Sequence, residues 1–300
     1  MSNSKNSFSG KKRYAVTLFD STMSADEKLK ALNRAEKRFS SWFIADREFA
    51  PLLEELRNAP PPATAEAGLI YTSAGKYVWK LECPASRGKT VIAYKTNPGK
   101  TPWRYILKSS LTVREVRNYL RFEKLGIPVA PVIAVGDDRK NFILKETFII
   151  TGFVTDTADG LQFMEGGKFH SDTENKLIFC KLNLELLAKL HHASIFHKAF
   201  HPRNLLWRNT GKEMEIFWID VARCRIVSRR QMFYAVIKDL HTFFSDMRLT
   251  RTQTAELLEY YCTLAPKQYL PGTAQELLDK LIHFRRRLFS KKKYKLFAEN

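Results

Sequence analysis

No apolar run in this sequence approaches the roughly 20 residues needed to cross a bilayer, so no membrane-spanning helix is expected. The first residues, MSNSKNSFSGKKRYAV, hold no apolar stretch of signal-peptide length. Cysteine is scarce and scattered: Cys83, Cys180, Cys224 and Cys262 form no CxxC pair. That spacing argues against a zinc ribbon and fits a reduced, cytosolic thiol set. There are no internal repeats, and no RNP-type, KH or zinc-finger signature that would favour nucleic acid. Acidic residues are in short supply, 31 against 50 Lys and Arg, which leaves a formal charge of +19. Apolar residues make up 44% of the 300, enough for a real core, so wholesale disorder is excluded.

An excess of this size implies a polyanionic partner: nucleic acid, an anionic membrane face or a phosphorylated substrate. Part of it is local. Residues 281–300 carry Arg285, Arg286, Arg287, Lys291, Lys292, Lys293 and Lys295 against one acid, Glu299, with Phe284, Leu288, Phe289, Tyr294 and Phe297 interleaved. The segment reads as a basic amphipathic helix for an anionic surface, or as a solvated last helix with a basic tail.

The order of elements expected along the chain is a sheet with one helix, then a helical half. From about Ser24 to Asn58 the pattern is mostly helical, opened by the capping box of Ser24 and Glu27 and ended by Pro60-Pro61-Pro62, a stiff linker. Strand patterns follow at 69–83, around a turn at Gly75, and at 89–96. A helix is expected over 110–126, stopped by Gly126 and Pro128. Two more strands, APVIAVGD and NFILKETFIITGF, are expected to be joined by a turn at Gly136-Asp137-Asp138. A buried helix over 175–194, a strand over 215–220 and helices to the end complete an α+β, two-lobe arrangement with a cleft. The divisions expected are 1–62 for a basic tail, helical extension and linker, 63–153 for a small β-rich lobe, and 154–300 for a larger helical lobe.

Three constellations carry chemistry. Lys95 ends VIAYK, and Glu115 lies in the following helix; a strand lysine paired with a helix glutamate is how a kinase fold holds the α- and β-phosphates. HKAFHPRN runs from His197 to Asn204, just after the buried helix. Asp220 ends the strand that follows, and with Asn204 it offers two oxygens for Mg2+ at the lip of one cleft. Taken singly, each has a plainer explanation as a solvated lysine, a surface glutamate or a turn aspartate. Their order is what argues for a kinase.

On these motifs the chain resembles the lipopolysaccharide core kinases of bacteria, the Kdo/heptose or WaaP/InaA-like family, distant relatives of protein and aminoglycoside kinases. The resemblance covers about residues 69–265. It rests on VIAYK, on REVRNYLRFEKLGIPVA, on FIITGF and on LAKLHHASIFHKAFHPRNLLW, and continues through FWIDVARCR and KDLHTFF. It implies a protein-kinase-like fold and transfer of the γ-phosphate of ATP, with Mg2+, to a heptose or Kdo hydroxyl. Lys95 would bind phosphates and Glu115 would orient it. Thr151, Gly152 and Phe153 would line the hinge against adenine, Asn204 and Asp220 would hold the metal, and Asp239 would anchor the loop. The implied partner is the inner-core sugar or another anionic glycolipid, met by a cytoplasmic protein at the inner face of an anionic membrane. Segments 285–295 and 24–58 are the candidate contacts, although the apolar Leu29, Leu32, Phe39, Trp42 and Phe43 favour packing of 24–58 on a lobe.

The pattern departs from the family at one decisive place. In both the His-Arg-Asp-x-x-x-x-Asn and the His-x-Asp-x-His-x-x-Asn loops the third residue is the catalytic aspartate; here it is Ala199, which cannot accept a proton. Phosphoryl transfer depends mainly on positioning and electrostatics, so a lost base slows it without necessarily abolishing it. His201 is the candidate substitute, and a loop-stabilising histidine is its plainer reading. The glycine-rich loop is reduced to Ser73, Ala74 and Gly75. Two alternatives therefore stand beside a sugar kinase: a pseudokinase serving as a nucleotide-binding or interaction module, and a kinase-like enzyme directed at protein or nucleic acid.

Overall fold

The computed structural model describes residues 15–37, 39–85, 88–99, 105–106, 108–140 and 142–288. It divides into two units, residues 1–116 with 131–153 and residues 117–130 with 154–300. The elements of the first unit are β1 (Ala15–Phe19), α1 (Ala25–Ala35), β2 (Trp42–Asp46), α2 (Ala50–Asn58), β3 (Leu69–Ser73), β4 (Lys76–Ala85) and β5 (Gly88–Pro98). Helix α3 (Leu111–Lys124) begins in this unit, which β6 (Val132–Lys140) and β7 (Ile143–Gly152) complete. The seven strands form one sheet in the order β1-β2-β6-β7-β5-β4-β3, antiparallel except for the parallel pair β1–β2.

Its core is aromatic. Trp79 stacks on Tyr94 at 5.4 Å and Tyr94 meets Phe148 edge-on at 6.4 Å, with Ile92, Ile150, Leu53 and Leu56 closing around them. Burying each such side chain contributes about 1.5–3 kcal/mol, which makes this cluster the main stabiliser of the sheet. Trp79 Nε1 donates to the carbonyl of Pro62 at 3.0 Å, so the proline linker is tied down onto the sheet it precedes.

Two expectations are corrected here. The capping box at Ser24 and Glu27 is present and starts α1, but the helical pattern over 24–58 is broken by β2. Trp42, Phe43, Ile44 and Ala45 are all buried, because β2 lies between β1 and β6 with α1 packed on it and Leu53 and Leu56 in the cluster that holds Phe43 and Ala45. A continuous apolar run covered on both faces suits a strand as well as a helix, and flanking partners decided it. The second correction concerns Gly136-Asp137-Asp138, which lie inside β6 and not in a turn; the chain reverses after Lys140, where Phe142 has φ +59°. A Cβ at Gly136 would come within 2.5 Å of the Trp42 carbonyl, so the strands approach too closely there for any side chain. Asp137 is fully buried beside Arg139, at 2.8 Å; burial pushes its carboxyl up and the guanidinium opposes that shift.

The second unit holds the end of α3, then β8 (Ala158–Asp159), α4 (Thr173–His192), β9 (Ile195–Phe196), β10 (Leu205–Asn209), β11 (Met214–Trp218), β12 (Arg225–Ile226), α5 (Arg229–Met247), α6 (Arg251–Leu264) and α7 (Ala274–Leu288). Helix α4 is buried as its pattern indicated, although Ile178 faces outward, 39% exposed. The expected strand over 215–220 ends at Trp218 and pairs with β10, a strand the sequence did not announce. Residues 289–300, with Lys291, Lys292, Lys293 and Lys295, lie outside the described residues.

Candidate active site

In the first unit, Lys95 on β5 reaches Glu115 on α3, with Nζ 3.0 Å from both carboxylate oxygens. Glu115 is buried and the lysine side chain is 23% exposed. The start of α3 is pinned to the sheet: Asn97 Nδ2 donates to Thr112 Oγ1 at 3.2 Å, and the hydroxyls of Ser110 and Thr147 share a hydrogen bond at 3.2 Å. Held this way, the carboxylate fixes the end of a long flexible side chain.

The expected hinge residues have most of their backbone donors engaged. Gly152 N–H donates to the Pro131 carbonyl and Phe153 N–H to the Val91 carbonyl, each at 2.9 Å, while Thr151 is paired within the sheet. Any base contact at Gly152 or Phe153 would therefore use carbonyl oxygens or the Phe153 ring, over which Lys80 Nζ sits at 4.8 Å. The segment Ser73-Ala74-Gly75 is a tight hairpin turn. Ser73 pairs with Lys76, and the two residues between them both have positive φ, +52° and +80°. A two-residue turn of this kind cannot present the run of free amides that a glycine-rich loop wraps around phosphates.

In the second unit the loop from His197 to Asn204 hangs from α5. Asp239 accepts the backbone N–H of both His197 and Lys198 at 2.8 Å, and itself touches His191 Nε2 at 3.3 Å. His191 in turn meets the Tyr261 hydroxyl at 2.5 Å. This is the anchoring expected of Asp239. His197 is fully buried among Phe122, Phe200 and Trp218, and neither ring nitrogen has a hydrogen-bond partner among the described residues. Burial pushes its imidazole down to about 4, so the ring is neutral packing material and not a proton carrier.

Ala199 is buried, and its carbonyl is the loop's internal fastening point, accepting from Asn204 Nδ2 at 3.0 Å and from His201 N–H at 2.8 Å. With its amide nitrogen so occupied, Asn204 presents Oδ1 as its ligand atom. The carbonyl of Asn204 accepts from Ile219 N–H at 2.9 Å, which brings Asp220 alongside. Asp220 is exposed and left-handed (φ +52°, ψ +46°), with its N–H donated to the Tyr119 hydroxyl at 3.3 Å. An amide oxygen and a carboxylate are the donor types that suit Mg2+, which keeps most of its shell as water and phosphate. Among the described residues no group of three or more His, Cys, Asp or Glu is placed to hold a metal ion.

His201 is half-buried, and its Nδ1 lies 2.7 Å from Asp246 Oδ2 near the end of α5. Asp246 was not anticipated from the sequence, and neither was Asn118, whose Nδ2 donates to the carbonyls of Val221 and Cys224 at 2.8 and 3.0 Å and so braces the turn after Asp220. The signal for Asp246 was its spacing of two helical turns from Asp239. A groove of about 670 Å³ in this unit is lined by residues such as Asp159, Phe169, Asn175 and Trp207, and by none of the expected site residues.

The sequence matches the model of the lipopolysaccharide kinase (Kdo/WaaP) family over residues 99–261, which is more than half of the chain. The chain belongs to that family. The match takes in the loop, Asn204, Asp220 and both α5 aspartates, and begins just after Lys95. Among solved structures, "WaaP in complex with acyl carrier protein" superposes with a TM-score of 0.55 at 13% identity, covering 83% of this chain and 99% of that one. At that identity the likeness establishes the fold, an α+β kinase-like architecture. A kinase domain, PknI of Mycobacterium tuberculosis, is matched with a TM-score of 0.38 at 14% identity over 72% of this chain and 94% of that domain. No curated protein matches the sequence. Among the described residues no helix is long and apolar enough to cross a membrane.

Proposed function

We propose that this lipopolysaccharide-kinase family member binds ATP with Mg2+ and transfers the γ-phosphate to a heptose or Kdo hydroxyl of the inner core. The observation that carries this is the Lys95–Glu115 pair, a strand ammonium oriented by a buried carboxylate. Lys95 would neutralise phosphate charge, while Asn204 Oδ1 and Asp220 would hold the metal, which supplies further neutralisation of the transferring group. Thr151, Gly152 and Phe153 would border the adenine. The proton acceptor would be His201: the Asp246 carboxylate takes up Nδ1–H, leaving Nε2 as the basic nitrogen. The substrate would be an anionic glycolipid, which suits a +19 chain working at the inner face of the cytoplasmic membrane. An acyl carrier protein, the partner of WaaP in the similar solved complex, is a second candidate for binding trials.

A second reading is favoured by two specific features, Ala199 and the tight turn at Ala74-Gly75: a pseudokinase that binds nucleotide without transferring phosphate. Transfer of labelled γ-phosphate to Kdo- and heptose-bearing core acceptors separates the two. The kinase reading expects turnover by the native chain, a fall of about 100-fold in His201→Gln, and a gain in Ala199→Asp. Turnover confined to Ala199→Asp would establish the pseudokinase.

A further inference from the structure

Three apolar side chains stand out from neighbouring elements of the second unit: Ile226 on β12, 62% exposed, and Phe233 and Tyr234 on α5, 39% and 51% exposed. Contacts tie the two aromatic residues to α7 and to Phe196, the strand partner of Arg225. Tyr234 meets Phe196 at 6.2 Å and Phe284 of α7 at 5.7 Å, and Lys280 of α7 lies over Phe233 at 5.5 Å. Arg225 lies over Phe196 at 5.7 Å on the strand next to β12, which pairs Arg225 with Phe196 and Ile226 with Ile195.

The rim of this patch is cationic. Arg223, Arg225, Arg229, Arg230 and Lys280 are all exposed, and none is in an ion pair with a carboxylate among the described residues. The acids of the adjoining α7 face are Glu276 and Asp279. Arg229 and Arg230 occupy the first turn of α5, which contains no acid. Cations at the positive end of a helix dipole work against the helix, whose start is already secured by the Ser228–Gln231 capping box. Helix stability therefore gives no reason for these two arginines, and the missing counter-charge points outward.

We propose that this surface, formed by β12, the first turns of α5 and the adjoining face of α7, docks on an anionic lipid bilayer. Ile226, Phe233 and Tyr234 enter the interfacial layer while Arg225, Arg229, Arg230 and Lys280 meet lipid phosphates. The apolar centre favours a bilayer over nucleic acid: an isoleucine at the most exposed point gains nothing from a phosphate backbone, whereas aliphatic and aromatic groups ringed by arginine match the headgroup boundary. The sequence beyond Phe284 on the same helix continues with Arg285, Arg286 and Arg287, in keeping with that polarity. Docking of this kind does not depend on phosphoryl transfer.

Co-sedimentation of the full chain with phosphatidylcholine vesicles, with and without an equal share of phosphatidylglycerol, tests it. Binding is expected only with phosphatidylglycerol and is expected to weaken with salt. The triple variant R225E R229E R230E should bind more weakly by more than about 100-fold, since each of the three charges removed is worth roughly fivefold and each is also reversed. The apolar variant I226S F233S should lose about tenfold in affinity at salt where charge is screened. A melting curve confirms folding, and R225Q R229Q R230Q replaces the charge reversal if that variant fails to fold. Removing residues 289–300 should cost less than the triple variant. Native-like binding by the triple variant, binding lost entirely with residues 289–300, or binding to single-stranded RNA in preference to the anionic vesicles would each overturn the proposal.

Discussion

Asp239 and Asp246 lie seven residues apart on α5, two helical turns on one face, and both grip the same loop. Asp239 holds its beginning through the N–H groups of His197 and Lys198, and Asp246 holds its middle through His201. The helix thus acts as a rigid ruler that sets the positions of the loop backbone and of the one imidazole facing partly to solvent. Ala199, between the two fastenings, contributes only its carbonyl to the arrangement.

The Asp239 anchor predicts a large structural cost. Its carboxylate is fully buried and serves two N–H donors and His191. Asp239→Ala should destabilise the protein by about 3 kcal/mol, because two buried amides and an imidazole lose their acceptor together. Denaturant unfolding measures it; a loss below about 1 kcal/mol would show that the loop does not hang from α5.

His197 predicts an acid-labile stability. Its folded value of about 4 lies below the 6.5 of an exposed histidine, so over that interval the unfolded chain binds the proton and the folded chain does not. Stability should be full above about pH 6.5, fall as pH drops toward 4, and lose about 2 kcal/mol by pH 5. In His197→Phe, which suits the surrounding rings, this part of the acid sensitivity should vanish. Unfolding curves at pH 7 and pH 5 for the two proteins make the comparison, and equal slopes would remove the assignment.

Glu115→Gln should leave the fold intact, since the amide still accepts from Lys95, but it removes the charge that keeps the ammonium in place. Nucleotide affinity should drop about tenfold. Isothermal titration with ATP reads this directly; unchanged affinity would mean that Lys95 is not a phosphate ligand.

Much of this was legible in the sequence, for identifiable reasons. Lys95 and Glu115 stood in a strand pattern and a helix pattern, and the kinase-like order of the motifs, not either residue alone, suggested their pairing. HKAFHPRN, with Asp239 on the next long helix, carried its order in the sequence. What could not be seen was decided by tertiary partners. Trp42–Asp46 is a strand because the sheet offers it two neighbours, and the same letters read as a helix face without them. Asp137 and Asp138 look like turn residues until Arg139 and Arg57 are found beside them. Asp246 and Asn118 are ordinary polar residues in helices, and their work appears only when the loop and the turn after Asp220 are in place.

On the proposed function, the chain binds ATP and Mg2+ despite Ala199. Calorimetric titration with ATP, with and without Mg2+, on the native protein and on Asp220→Ala tests it most directly. The predicted result is micromolar binding that requires Mg2+ and is lost in the variant. Absence of binding by the native protein would contradict it, and would leave a kinase-like scaffold whose function lies outside this loop.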